Sequence, residues 1–173
     1  MNENSSARRY ARALLETARD ARTVRDELSA ITDVLKANPA LFEAFANPAV
    51  PPATKKSIFS AVFQDATAPL PRLFEMLIDD ARIELAPLIA ARYREEWNAR
   101  NNVHAARVVS AMPLDAEATD GIRKAIETAV SGEVEMQTAV DPALMGGLKV
   151  EVDGYLFDGS VKARLTALRR HLL

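Results

Sequence analysis

Apolar residues recur along this chain with two periods, and the change of period divides it. Up to about residue 100 they return at steps of three and four, the spacing of one helical face. Beyond that, short stretches alternate with period two between helical ones. In the first part, Ser5 or Ser6 is placed to cap a helix running to about Ala21. Its Ala7, Tyr10, Ala11, Leu14, Leu15, Ala18 and Ala21 form one broad face. Thr23 is placed to cap the next, with Val24, Leu28, Ile31 and Leu35 inward. Asn38-Pro39 opens a short Phe-rich helix that Asn47-Pro48 stops. Pro51-Pro52 opens a fourth, with Ile58, Phe59, Val62 and Phe63. A fifth follows Pro69 and Pro71, and Pro87 sits early in a sixth that carries Leu85, Leu88, Ile89, Tyr93 and Trp97.

The fifth helix is apolar over a wide arc, roughly 200° against the ~100° that one packed face requires. Leu70, Leu73, Phe74, Met76, Leu77, Ile78 and Ala81 make up that arc. Either the helix is central and contacted on most sides, or one flank stays open as half of a groove for a partner's helix.

Beyond residue 100 the pattern predicts a strand from Val103 to Met112, then a helix capped by Asp115 with Ile122, Ala125, Ile126, Ala129 and Val130 on one face. Gly132 ends it. Val134, Met136, Thr138 and Val140 alternate with polar residues as a second strand, and Asp141-Pro142 begins a turn. Leu148, Val150 and Val152 form a third strand. Asp153-Gly154 is a tight-turn dipeptide, and Tyr155-Leu156-Phe157 returns from it. The last helix places Val161, Leu165, Leu168 and Leu172 on one face. The expected fold is mainly α: a six-helix amino-terminal bundle over residues 1–103, then a small α+β domain over 104–173.

Punctuation supports the same cut. All six glycines lie at or after Gly121, whereas seven of the nine prolines precede residue 100. The first part is therefore expected to turn its corners without glycine's left-handed conformation. At 173 residues and 49% apolar the chain has the material for a core, and a net charge of −2 argues against a general nucleic-acid binder. There is no cysteine, so thiolate metal sites and disulfides are excluded. No run approaches the ~20 apolar residues of a membrane span. The expectation is a cytosolic protein that meets a membrane only through partners.

A search for chemistry returns little. His104 and His171 have no ligand spacing. His104 reads as a surface or junction residue, and His171 joins Arg169 and Arg170 at the negative end of the last helix. Asp158-Gly159-Ser160 and Gly146-Gly147 match no phosphate-loop spacing and read as turn and cap residues. A phosphate-handling enzyme built on that turn is the alternative function, and an RNA-binding sheet is a third. No catalytic, cofactor or metal residues are assigned.

The carboxy-terminal run from Met145, MGGLKVEVDGYLFDGSVKARLTALRRHLL, is the most specific stretch of the chain. With Tyr10-Ala11-Arg12-Ala13-Leu14-Leu15-Glu16-Thr17-Ala18, the Leu41-Phe42 to Asn47-Pro48 segment and Leu73 to Tyr93, it resembles the delta-subunit family of F-type ATP synthase. The mitochondrial members are the oligomycin-sensitivity-conferring proteins. The segment from Asp115 to Val140 matches in pattern only.

The resemblance implies a non-catalytic stator subunit without cofactors, on the cytoplasmic face of the bacterial plasma membrane. It implies that the bundle holds the amino-terminal helix of an alpha subunit between its first and fifth helices, next to other catalytic-head subunits. The second domain would engage the carboxy-terminal ends of the b subunits through the hairpin and last helix. The groove candidates that follow are Tyr10, Leu14, Ala18, Leu73, Met76, Leu77 and Asp80. Ala7, Ala11 and Ala18 would let a foreign helix approach closely. Leu77→Asp is then expected to weaken binding of an alpha amino-terminal peptide.

Overall fold

The computed structural model describes residues 3–171, and side chains as far as Ala167. The chain divides into two compact units, residues 1–97 and 98–173, slightly ahead of the expected cut between 103 and 104. The expectations for Leu168, Arg169, Arg170, His171 and Leu172 fall outside the described side chains.

The first unit is built from α1 (Glu3–Thr17), α2 (Ala21–Ala37), α3 (Pro39–Ala46), α4 (Pro52–Val62), α5 (Leu70–Asp79) and α6 (Ala86–Asn101), which runs past the division. α1 begins before Ser5 and stops at Thr17, because Asp20 starts a new helix. The Asp20 carboxylate accepts from the backbone N–H groups of Arg22 and Thr23 at 3.1 and 3.2 Å and from the Thr23 hydroxyl at 2.7 Å. Thr23, expected as the cap, therefore serves the cap, and Ser6 is buried within α1. The prolines act as expected: Pro39, Pro52 and Pro71 occupy first-turn positions, where a missing N–H costs nothing.

The core of this unit gathers Leu14, Val24, Leu28, Leu35, Leu70, Phe74, Leu77, Ile89 and Tyr93. Phe59 stacks on Phe74 with ring centroids 4.6 Å apart. The broad arc of α5 is explained by burial on most sides: Leu70, Leu73, Phe74, Leu77 and Ile78 all lie inside. The expectation that this unit avoids the left-handed conformation fails at Ala81, whose φ of 52° ends the turn after α5.

The second unit contains β1 (Val103–Ser110), α7 (Ala116–Val130), β2 (Glu133–Val140), β3 (Leu148–Val152), β4 (Tyr155–Asp158) and α8 (Val161–His171). The strand order is β2-β1-β3-β4. β1 is parallel to β2 and antiparallel to β3, and β3 is antiparallel to β4. Registers Ala106↔Val152, Val108↔Val150, Val150↔Phe157 and Val152↔Tyr155 place these residues on one face. Asp115 caps α7 by accepting from the Ala118 N–H at 2.7 Å. Ser131, at φ 55°, ends that helix one residue before the expected Gly132. Gly132 is needed for another reason: a Cβ there would stand 2.6 Å from the carbonyl oxygen of Asn102 and 2.6 Å from the His104 ring.

Candidate functional site

Among the described residues no group of His, Cys, Asp and Glu is arranged to hold a metal, and no helix is long and apolar enough to cross a membrane. What both units do carry is apolar surface left uncovered.

In the second unit α7 buries little of its apolar face. Ile126 is inside, whereas Ile122 and Val130 are half-buried and Ala125 and Ala129 are exposed. The sheet beyond is barer still. Tyr155 and Phe157 on edge strand β4 are 75% and 66% exposed, side by side with the exposed Leu156. Between α7 and the β3–β4 hairpin lies an open groove of about 630 Å3, lined by Ile122, Ala125, Ala129, Val150, Tyr155 and Phe157 among others. Its one polar pair is His104 with Asp153, Nδ1 to Oδ2 at 2.5 Å. Asp153 (φ 49°) and Gly154 (φ 86°) form the expected tight turn, and Asp153 Oδ1 also accepts from the Ala105 N–H at 3.3 Å. His104, read from sequence as a surface or junction residue, thus tethers the hairpin to the start of β1.

The glycine-rich tail motif is a joint. Gly147 has φ 75°, and a Cβ there would stand 2.5 Å from the carbonyl oxygen of Gly159. Gly159 N–H donates to Leu148 O and Val161 N–H to Gly146 O, both at 3.0 Å. Asp158 Oδ1 accepts from the Ser160 N–H at 3.0 Å, and Ser160 Oγ accepts from the Ala163 N–H at 3.1 Å. These bonds pin the first turn of α8, while its Val161 and Leu165 stay exposed. Of the expected face these two side chains are the described ones, and both are bare instead of packed.

The same bonds account for Asp158 and Ser160, the residues of the alternative enzyme. Ser160 is 1% exposed. The hydrogen bond from Ser160, with help from Lys149, holds the Asp158 carboxyl below its ordinary range. A standing negative charge beside a buried hydroxyl repels phosphate, and that reading lacks support.

In the first unit the seven groove candidates separate. Leu14, Leu73 and Leu77 lie inside the core, with Leu77 fully buried, and Tyr10 and Ala18 are half-buried against it. Ala7 and Ala11 are fully buried too, so their small size serves packing within the bundle. Met76 (47% exposed) and Asp80 are on the surface. The structure joins two of the candidates across α1 and α5: the Tyr10 hydroxyl donates to Asp80 Oδ2 at 3.3 Å. Exposed large apolar side chains of this unit occur at Met76, Val34 and Val62. The latter two line a separate crevice of about 400 Å3 between α2 and the end of α4, with Ile31 and Phe63. Periodicity had no means of separating these surfaces, because it reports a helix's apolar arc and not which neighbours cover it.

A family model described as "ATP synthase delta (OSCP) subunit" matches residues 7–172. The chain is 34% identical to a protein named "ATP synthase subunit delta" from Myxococcus xanthus, over 97% of this chain and 96% of that one. It is 33% identical to a protein of the same name from Syntrophobacter fumaroxidans, over 96% and 93% of the two chains. Among solved structures, its fold resembles a chain in the cryo-EM structure of the Toxoplasma gondii mitochondrial ATP synthase hexamer. The TM-score is 0.69 and the identity 22%, with 96% of each chain covered.

Proposed function

This chain belongs to the ATP synthase delta (OSCP) subunit family, and from that premise we propose that its two units grip different neighbours, the head with one and the stalk with the other. It is a peripheral-stalk component of ATP synthase and so part of a membrane-associated complex. In our reading it takes no part in the chemistry itself. The first unit receives the amino-terminal helix of an alpha subunit on the α1–α5 face, at Tyr10, Met76 and Asp80 with Ala18 at the rim. The second receives the carboxy-terminal ends of the b subunits. The complex stands on the cytoplasmic face of the bacterial plasma membrane. Held this way, the head does not turn with the rotor, and ion-driven rotation is converted into ATP synthesis.

The observation that carries the stalk assignment is the groove between α7 and the β3–β4 hairpin. It is open and apolar, and in the same unit the first turn of α8 is pinned while its Leu165 is bare. An amphipathic helix laid there covers Tyr155 and Phe157 and gains the ~25 cal/mol per Å2 of apolar area removed from water. Ala125 and Ala129, one turn apart on α7, permit close approach.

Peptides from the cognate alpha amino terminus and b carboxy terminus, titrated separately into the full chain, test the division. Met76→Asp is expected to weaken the alpha peptide alone and Phe157→Asp the b peptide alone. Val62→Asp probes the α2–α4 crevice and is expected to leave both unchanged. Loss of the alpha peptide on Val62→Asp but not on Met76→Asp would move that site to the crevice. Loss of both peptides on one substitution would end the two-handed reading.

A further inference from the structure

We propose that Asp80 is the selectivity carboxylate of the α1–α5 face: it favours a docked helix that brings a Lys or Arg side chain over the carboxy-terminal end of α5. The inference rests on the reading of that face as the alpha-helix site and adds the chemistry the visiting helix must carry.

Asp79 and Asp80 stand where α5 ends, beside the carbonyl groups that make the negative pole of the helix. A carboxylate there is repelled by the helix that carries it. For Asp79 the repulsion is answered inside the molecule, since Lys56 Nζ lies 2.7 Å from its Oδ2. For Asp80 it is not. Among the described residues its carboxylate receives one side-chain hydrogen bond, the 3.3 Å contact from the neutral Tyr10 hydroxyl, and no cation comes within ion-pair distance. On α1, Arg8 and Arg12 are committed to Glu96 at 2.9 and 3.1 Å.

The residue after Asp80 is also held at a cost. Ala81 has φ 52°, a conformation that glycine adopts freely and alanine does not. The exposed Met76 lies one helical turn before Asp80 on the same side of α5. An apolar contact and an unanswered anion one turn apart match a helix with an apolar and a cationic side chain at neighbouring turns. The Tyr10 hydroxyl is released or retained as the cation arrives. The energetic role of such a rim charge lies in association and discrimination more than in raw affinity.

The experiment uses the full chain and the cognate alpha amino-terminal peptide, with association and dissociation rates measured at low salt and near 0.5 M salt. Asp80→Asn is expected to weaken binding about three- to tenfold at low salt, mainly through the association rate, with the difference shrinking at high salt. Its thermal midpoint is expected to stay level or rise, because a charge has left the negative pole of α5. Asp80→Glu is expected to restore the salt dependence. An unchanged affinity and salt slope in Asp80→Asn overturns the proposal. So does a weakening that is equal at both salts and accompanied by a lower midpoint, the mark of a purely structural residue. Met76→Asp separates the two layers. If it abolishes binding while Asp80→Asn does nothing, the carboxylate's role falls and the docking face stands. If binding ignores Met76→Asp, the face itself is wrong and the proposal falls with it.

Discussion

Leu77 and Met76 are neighbours in sequence but belong to different worlds, and the contrast can be measured. Leu77 is fully buried in the core that holds Phe74 and Tyr93, whereas Met76 is nearly half exposed. Truncating Leu77 to Ala removes three carbon atoms. At ~0.8 kcal/mol per buried methylene the transfer loss alone is about 2.4 kcal/mol. The cavity left behind brings the cost to about 2.5–5 kcal/mol. For a unit of this size each kcal/mol lowers the melting midpoint by about 4–8 °C, so a drop of more than ~10 °C is expected. Met76→Asp, at the surface, is expected to stay within about 0.5 kcal/mol of the parent. The chain's one tryptophan gives the assay. Trp97 packs against the bundle core, with the Arg25 guanidinium 4.1 Å from its ring centre, so its fluorescence reports the first unit. Urea titration and thermal melts followed at Trp97 would be set beside alpha-peptide binding. Leu77→Asp would report unfolding before it reported binding, which makes it a poor probe of the groove. If Leu77→Ala melts with the parent yet loses the peptide, that side chain faces outward and the core described here is wrong.

Other consequences follow from single contacts. Gly147→Ala places a Cβ 2.5 Å from the Gly159 carbonyl at φ 75° and is expected to loosen β3 and α8. Hydrogen exchange should quicken at Val150 and Val161 while the Trp97 signal holds, and unchanged exchange would contradict the joint. Ala81→Gly relieves a left-handed alanine (φ 52°) and, after the added chain entropy of glycine, is expected to raise bundle stability by about 0.5–1 kcal/mol in urea titration. A decrease would show that Ala81 is not strained. Hydrogen bonds from Arg8 and then Arg12 hold the Glu96 carboxyl below its ordinary 4.5. A lowered folded value means that this stabilisation is complete above pH ~4.5 and is lost as pH falls through the still lower folded value. Glu96→Gln should therefore lower bundle stability modestly at neutral pH, leave it little altered in strong acid where the carboxylate is protonated anyway, and so flatten the acid decline. A decline that starts near pH 6 and ignores the substitution would refute this.

How far the chain could be read without its structure depends on which force sets each feature. Helix starts at Pro39 and Pro52 were legible because a proline ring restricts the backbone whatever surrounds it. The Asp153-Gly154 hairpin was legible for a similar reason, since tight turns admit few residues. The end of α1 was misplaced because Ala18 and Ala21 continue its apolar face, and choosing the Asp20 cap over a longer helix weighs two local preferences of similar size. His104 gave no signal at all, because its partner Asp153 is remote in sequence and is brought near by the antiparallel packing of β3 on β1.

The sequence by itself determined the fold class, the order of most elements and the family, because steric rules and apolar period act within a few residues. Only the tertiary structure decided which apolar faces are satisfied. α5 spends its wide arc on its own bundle and leaves Met76 outside. α7 and the β3–β4 hairpin, with ordinary patterns, stand open around a groove. Burial is a property of neighbours, and neighbours distant along the chain leave no local mark on it.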